Sequence, residues 1–237
     1  MIDLARLRQA FPDRRILHFD SIDSTQRAAS GCEAGTIVLA DCQLAGLGRH
    51  GHAWHSEPGA GIYCSIVLAP SPVLTLALGI ATAEAIAQAT GIRCDLRWPN
   101  DLMLDNRKAA GILVQVVNGL AIAGIGINVN HTAFPDDIEG EAISLRQHGG
   151  REFAREDILF ALFPAIESLT GEDTETILRL FTHASSYVAG RRVTVDQPGG
   201  TITGTTAGLN ADGFLKVRQD DGTDTLILAG GVRAAGS

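Results

Sequence analysis

Three short runs, at 16–19, 36–41 and 62–68, are rich in Ile, Val and Leu, the pattern of buried strands. After the first of them the polar stretch DSIDSTQRAAS offers Asp and Ser as caps for a helix that Gly31 stops. Residues 73–90 return apolar side chains at helical spacing (Leu74, Leu78, Ala81, Ala85), and Gly91 closes the run. Residues 95–98 are strand-like until Pro99 breaks them. The clearest local signal is a hairpin: 112–117 and 120–129 are apolar, and Asn118-Gly119 between them is the pair that a two-residue type I′ turn needs. Strands outnumber helices, and the pattern predicts a mixed sheet.

In the second half, 152–169 and 174–181 show helical periods through Ile158, Leu162, Ile166 and Leu169, then Ile177 and Phe181. Beyond Gly190 the character changes. Residues 192–195, 201–209, 214–218 and 225–228 are short strands punctuated by Gly and Asp-Gly signals, which predicts a small β-barrel. The expected class is α+β, with a larger unit at 1–186 and a smaller one at 187–237.

Composition narrows the possible functions. With 45% hydrophobic and 19% charged residues over 237 positions, the chain can bury a substantial core. Its net charge of −8 repels phosphate backbones, and no run of Lys and Arg offsets this, so no nucleic-acid partner is expected. Cys32, Cys42, Cys64 and Cys94 lack CxxC spacing and read as small hydrophobes in a reducing compartment, without disulfide or zinc. The N-terminus lacks a secretory h-region. Pro70 and Pro72 divide the uncharged stretch 58–83 into strand-sized and helix-sized pieces, so no membrane span is expected and the location reads as cytoplasmic.

Two segments could carry chemistry. QLAGLGRHGHAWHSEPG, at 43–59, joins two core strands, and Gly46, Gly48, Gly51, Gly59 and Gly61 allow a backbone to approach a ligand and turn N–H groups to an anion. A flexible surface loop has the same composition. RWPNDLMLDNRKAAGILVQ, at 97–115, puts Asn100 and Asp101 just past a strand end, where amide and carboxylate can hold a nucleotide or Mg²⁺, and Lys108 at the start of the hairpin. A polar turn with a solvated lysine is the alternative. Of 19 basic residues, however, the only lysines are Lys108 and Lys216; a chain that uses Arg almost everywhere retains a compact ammonium inside this motif. His50, His52 and His55 form an H-x-H-x2-H string, but the Gly and Ala between them and the lack of adjacent Asp or Cys argue against a fixed coordination sphere.

Taken in order, DSTQ (23–26), QLAGLGRHGHAWHS (43–56), RWPNDL (97–102), KAAGILVQ (108–115) and GIGINVN (124–130) closely resemble the signature blocks of biotin protein ligases: an STN-like triplet, QTAGRGRxGRxW, KWPND, KxxGIL and GIGINV. The resemblance covers 20–130. It implies a class II synthetase-like core, a mixed sheet with helices packed on it, followed by an SH3-like barrel. The implied reaction has two steps. The biotin carboxylate attacks the α-phosphate of ATP, with Mg²⁺, to give biotinyl-5′-AMP, and a lysine of a biotin carboxyl carrier domain then displaces AMP. Two anions must meet, so cations and N–H donors are needed in a water-poor pocket.

By position, the resemblance assigns Ser24, Thr25 and the adjacent Gln26 to the biotin ureido head, and Gln43 to a further biotin contact. Leu47, Gly48 and Arg49 belong to the loop over biotin and the acyl phosphate, Gly111 to the biotin wall, and Trp54 to a stack on adenine. Asn100 and Asp101 fall to the nucleotide and metal neighbourhood, and Asn128 to the adenine. Lys108, with Arg49, is the expected catalytic cation. Ser24 and Thr25 as a helix cap, and Trp54 as ordinary core, are the structural alternatives. The chain departs from the pattern at Gln26, Leu47, His52, Arg97 and Gln115, and Leu47 removes a cation from beside the carboxylate. About a dozen residues precede the first strand, too few for a winged helix-turn-helix, so a form without DNA binding is expected. Monomer and homodimer are both compatible with the resemblance. The competing readings are a lipoate or octanoate ligase-type acyltransferase, whose own blocks are missing, and a biotin-binding sensor without catalysis.

Overall fold

The apolar runs become the strands β1 (Ile16–Phe19), β2 (Ile37–Ala40) and β3 (Gly61–Leu68). They are followed by β4 (Asp95–Arg97), β5 (Asp101–Leu104) and the hairpin β6 (Arg107–Val117) and β7 (Leu120–Asn128). The computed structural model describes residues 2–197 and 200–235, with His50 by its backbone alone. The seven strands form one sheet in the order β1-β2-β3-β7-β6-β5-β4. β1 and β2 run parallel and every other neighbouring pair is antiparallel. At the hairpin, Asn118 and Gly119 both take positive φ, 51° and 79°, as a type I′ turn requires.

Alternation along β2 shows how the layers form. Ile37 and Leu39 enter the main core, whereas Val38 joins a smaller cluster with Ala29, Val67 and Ile122 on the opposite face. The main face is covered by α3 (Leu74–Thr90) packed on α5 (Arg155–Thr170), with α6 (Thr174–Ala184) beside α3. Gly91 ends α3 in the left-handed conformation. The opposite face is covered by the short α2 (Thr25–Ala29), which packs on β2, β3 and β7 and so brings 24–26 over the centre of the sheet.

Four elements were not expected. The helix α1 (Leu4–Ala10) precedes β1, and α4 (Leu145–Gly149) is held by a capping box between Ser144 and Gln147. β5 begins at Asp101, where a polar turn past a strand end was expected; pairing with β4 on one side and β6 on the other makes a strand of a segment too short to show a period of its own. A last strand, β12 (Gly231–Ala234), completes the C-terminal part.

That part is an antiparallel sheet of β8 (Ala189–Gln197), β9 (Gly200–Leu209), β10 (Leu215–Arg218), β11 (Asp224–Ile227) and β12, in the order β11-β10-β9-β8-β12. It fits the SH3-like barrel, although β11 and β12 stand at its two edges and no ladder closes it among the described residues. Val193, Val195, Leu215, Val217, Ile227 and Val232 join the same apolar cluster as the helices, and Trp98 Nε1 donates to Gly213 O at 2.9 Å. We propose the division between the two units at 186/187, between α6 and β8. No helix of the described residues is long and apolar enough to cross a membrane.

A buried ion pair ties the start of α5 to the strand ends. Arg155 Nη1 lies 2.8 Å from Asp41 Oδ1 and donates to Gly61 O at 3.1 Å, while His18 Nε2 is 3.1 Å from Asp41 Oδ2. The Arg155 side chain is 6% exposed. Removing one partner of such a pair strands the other charge and costs about 3 kcal/mol or more. Arg155→Met should therefore lower the unfolding free energy by that amount, read as a lower urea midpoint at unchanged m-value; an unaltered midpoint would mean that water already screens Asp41.

Candidate active site

A cleft opens where α2, the loop after β2 and the central strands β3, β6 and β7 converge, with about 450 Å³ of space including its open mouth. Of the residues that the sequence singled out for the site, all line it except Asp101 and Asn128.

Its deep end is polar. Gln43 Oε1 accepts from the Thr25 backbone N–H (2.9 Å) and hydroxyl (3.0 Å), and Gln43 Nε2 donates to Ser56 Oγ at 3.2 Å. The Thr25 hydroxyl lies 2.9 Å from Ser65 Oγ, which donates to Gln26 Oε1 at 3.2 Å. Gln26 Nε2 donates to Ile122 O (2.8 Å) and to Gln115 Oε1 (3.3 Å). Ser24 occupies the N-cap position of α2 but makes no capping bond, contrary to the capping alternative, while Gln43 takes the first helical N–H, that of Thr25. Its hydroxyl is buried, lines the cleft and has no partner among the described residues. A buried hydroxyl left unpaired costs about 1–3 kcal/mol, which a ligand's polar group would recover.

The loop after β2 is itself a small hairpin. Leu47 pairs with Ala53, Gly48 N–H donates to His52 O at 2.7 Å, Trp54 N–H donates to Gly46 O at 3.0 Å, and 49–51 forms a 3-10 turn. This geometry delivers Arg49 and Trp54 to the cleft. Arg49 Nη1 donates to Asn100 Oδ1 at 2.8 Å, and Asn100 is locked to β6 by Nδ2 donating to Ile112 O and by its carbonyl accepting from Ile112 N–H, both at 2.9 Å. Burial lowers the Arg49 pKa and the Asp101 charge opposes that effect; the guanidinium stays a cation. The Trp54 indole lies against two glycines of adjacent strands. A Cβ at Gly126 would overlap the indole, and one at Gly111 would sit 3.0 Å from Trp54 Cζ3 and 2.8 Å from Lys108 Cε. Only glycine permits this approach.

At the far end stands Lys108, with Nζ 2.6 Å from Asp101 Oδ1 and 5.4 Å from the centre of the Trp54 ring. Asp101 Oδ2 accepts from Arg97 Nη2 at 2.7 Å and Nε at 3.2 Å. Burial alone would raise the Asp101 pKa, but Lys108 and Arg97 outweigh it and hold the carboxyl below the ordinary range. Asp101 therefore lies behind Lys108 and not in the cleft. Asn128, expected to face adenine, spends its amide on the carbonyls of Lys108 (3.2 Å) and Ile143 (3.3 Å) and steadies the strand at Lys108 from outside the cleft.

Sequence reasoning missed Ser65, Gly124 and Gly126 as wall residues. Ser65 was visible as the one aliphatic hydroxyl inside an apolar strand run, and Gly124 and Gly126, two apart on a strand, share a face. Along β7 the cleft passes from Gly124 beside Gln26 to Gly126 beneath Trp54, and on to Lys108 beside Gly111. It can take an elongated molecule with a hydrogen-bonding head, a flat apolar middle and an anionic tail. The cations among its described lining residues are Arg49 and Lys108, while Leu47 adds only apolar cover.

Two outcomes follow from this geometry. Gly126→Ala should displace Trp54 and shift its emission to the red, since Trp98 is buried elsewhere; an unshifted spectrum would mean that the indole does not rest on Gly126. The folded pKa of Asp101 lies below its unfolded value of about 3.9, so its stabilising effect is complete above that value and is lost as pH falls through the folded pKa. Asp101→Asn should thus be less stable than the parent at pH 7, with the gap closing below about pH 4; a gap that persists into strong acid would contradict the ion-pair account.

The family model described as the biotin/lipoate A/B protein ligase family matches residues 18–131, and the one described as the biotin protein ligase C-terminal domain matches 188–232. The bifunctional ligase/repressor BirA of Bacillus subtilis is 30% identical over 238 residues, covering 91% of this chain and 73% of its own. The biotin–[acetyl-CoA-carboxylase] ligase of Mycobacterium tuberculosis is 30% identical over 223 residues, 88% of this chain and 82% of that protein. Among solved structures, the biotin protein ligase from Aquifex aeolicus in complex with biotin and ATP superposes with a TM-score of 0.84 at 29% identity, covering 93% of this chain and 99% of that one.

Proposed function

The chain belongs to the biotin protein ligase family, and from that premise we propose that its cleft joins biotin to ATP and passes the biotinyl group to a lysine of a biotin carboxyl carrier domain, in the cytoplasm. The observation that carries this reading is the arrangement of a hydrogen-bonding pocket at Ser24, Thr25 and Gln43 and the cations Lys108 and Arg49 along one trough.

The ureido head of biotin offers two N–H donors and one carbonyl. The unpartnered Ser24 hydroxyl, beside the Thr25–Gln43 pair, suits such a group, and the glycine-floored middle suits the thioether ring and valeryl chain. The carboxylate then reaches Lys108. In the first step a carboxylate oxygen forms a bond to the α-phosphorus of ATP and the bond to pyrophosphate breaks. Lys108, aimed by Asp101, neutralises the two anions as they meet, and Arg49 adds a second cation from the loop. Trp54, already beside Lys108, supplies a flat face for adenine, while Asn100 holds Arg49 at the nucleotide. In the second step the carrier amine attacks the acyl carbon, AMP leaves with the bonding electrons and the amine releases a proton. Mg²⁺ accompanies ATP. Asp101, the carboxylate expected near the metal, has both oxygens in ion pairs, so it does not fit a metal ligand here and the phosphates are left to carry the ion.

Incubation with biotin, ATP, Mg²⁺ and a carrier domain should yield a streptavidin-reactive carrier and pyrophosphate; a sensor would release none. Lys108→Ala should slow adenylation by at least ~10²-fold, and Lys108→Arg should restore it only in part, because a planar fork differs from a point charge. A normal pyrophosphate burst in Lys108→Ala would sink the assignment.

A further inference from the structure

We propose that His55, Glu57 and His131 form a binding site for one divalent transition-metal ion of the zinc type, separate from the residues that line the cleft. Each offers one ligand atom, and these atoms lie within 4.8 Å of one another. The chemistry is decided by a proton count at Tyr63. Its hydroxyl has one hydrogen, which it donates to Glu57 O at 2.9 Å. The same oxygen is 3.2 Å from His131 Nε2, so it accepts there and Nε2 carries the proton. His131 Nδ1 is then left with a bare lone pair. It is buried in a residue of zero exposure and has no hydrogen-bond partner among the described residues. An imidazole beside a His/carboxylate cluster that donates one N–H to an oxygen and keeps the other nitrogen's lone pair unpaired is in the state that a metal requires.

The surroundings support the assignment. Among the described residues, neither the His55 ring nitrogens nor the Glu57 carboxylate has a hydrogen-bond partner. Phe134 stacks on the His131 ring (centroids 5.1 Å apart, 16° between planes) and meets His55 edge-on at 6.3 Å, giving the cluster an apolar wall. Two imidazoles and one carboxylate with a position left for water form a donor set that zinc favours over Mg²⁺ or Ca²⁺. Bonds of about 2.0–2.2 Å require the ligand atoms to close in by an ångström or more, and half-buried His55 and Glu57 have the freedom to do so. The cluster at His18, Asp20 and Asp41 differs, since His18 and Asp41 are already committed to each other and to Arg155. Because His55 and Glu57 follow Trp54 within three residues, the ion would fasten the exit of the loop to the chain leaving β7.

The test is a Co²⁺ titration of protein stripped with EDTA, without biotin or ATP, so that failure leaves the ligase reading intact. One equivalent should bind with the visible d–d bands of a four- or five-coordinate site, and Zn²⁺ should displace it. His55→Ala and Glu57→Gln, both confirmed folded by circular dichroism, should weaken binding at least ~10-fold, and Tyr63→Phe, which frees the His131 tautomer, by about 10–100-fold; His18→Ala should bind as the parent does. No saturable binding at millimolar Co²⁺, or equal affinity in His55→Ala and Glu57→Gln, overturns the proposal.

Discussion

Lys108 reaches the cleft because a buried carboxylate holds it there. Asp101 forms an ion pair with Lys108 through one oxygen and accepts from Arg97 on the other, so its charge is compensated twice before any ligand arrives. A buried carboxylate with one cation would sacrifice stability to desolvation; with two, it stays ionised and fixes the direction of the ammonium. Strand geometry makes this contact possible. β5 and β6 pair Asp101 with Gly111 and Leu102 with Ala110, then shift register so that Met103 meets Lys108. One residue is taken up by the bulge, and Lys108 is turned to the face that carries Asp101 and Gly111. Without the shift, alternation would send the ammonium to the other side of the sheet. Asn128 supports the same point from the next strand by binding the Lys108 carbonyl.

The rest of the site is arranged around what that cation can meet. Gly111 and Gly126 face each other across β6 and β7 and leave a groove where side chains would otherwise stand. Trp54 lies in it, beside Lys108. The loop that carries Trp54 and Arg49 is short and self-bonded, so its glycines serve a tight hairpin and not slack. Leu47, where the family pattern has arginine, leaves neutralisation at the cleft to Arg49 and Lys108 among the described lining residues. On the opposite side, α2 and the Gln43–Thr25–Ser65–Gln26 chain of hydrogen bonds form a rigid polar end.

Much of this was legible in the amino-acid order, and the reason is local. Apolar runs of four to eight residues, Gly91 after a helical period and Asn-Gly between two strands each state their own conformation, and the structure forms them at those positions. The polar end and the two cations were legible too, because Ser24, Thr25, Gln43, Arg49 and Lys108 stand in blocks whose order is specific to one family. Other features depend on partners far away in the chain. Asn128 has a residue type that suits a nucleotide, but the two carbonyls that take its amide come from Lys108 and Ile143. Ser24 stands where a helix cap would, yet it makes no capping bond and leaves its hydroxyl buried at the cleft. β5 shows no period within four residues and exists because two neighbours supply its ladder. The histidines of 50–55 suggested nothing by spacing, yet His55 meets His131 across the fold.

The sequence by itself determined the elements, the family and the chemical types in the cleft, since each is written in contiguous stretches whose side chains interact within a turn or a strand. Only the tertiary structure decided which way Lys108 points, that Asp101 serves it instead of lining the cleft, that Trp54 rests on two glycines, and which nitrogen of His131 is bare. Those outcomes depend on register between strands and on hydrogen bonds among residues distant in sequence, and no local pattern records either.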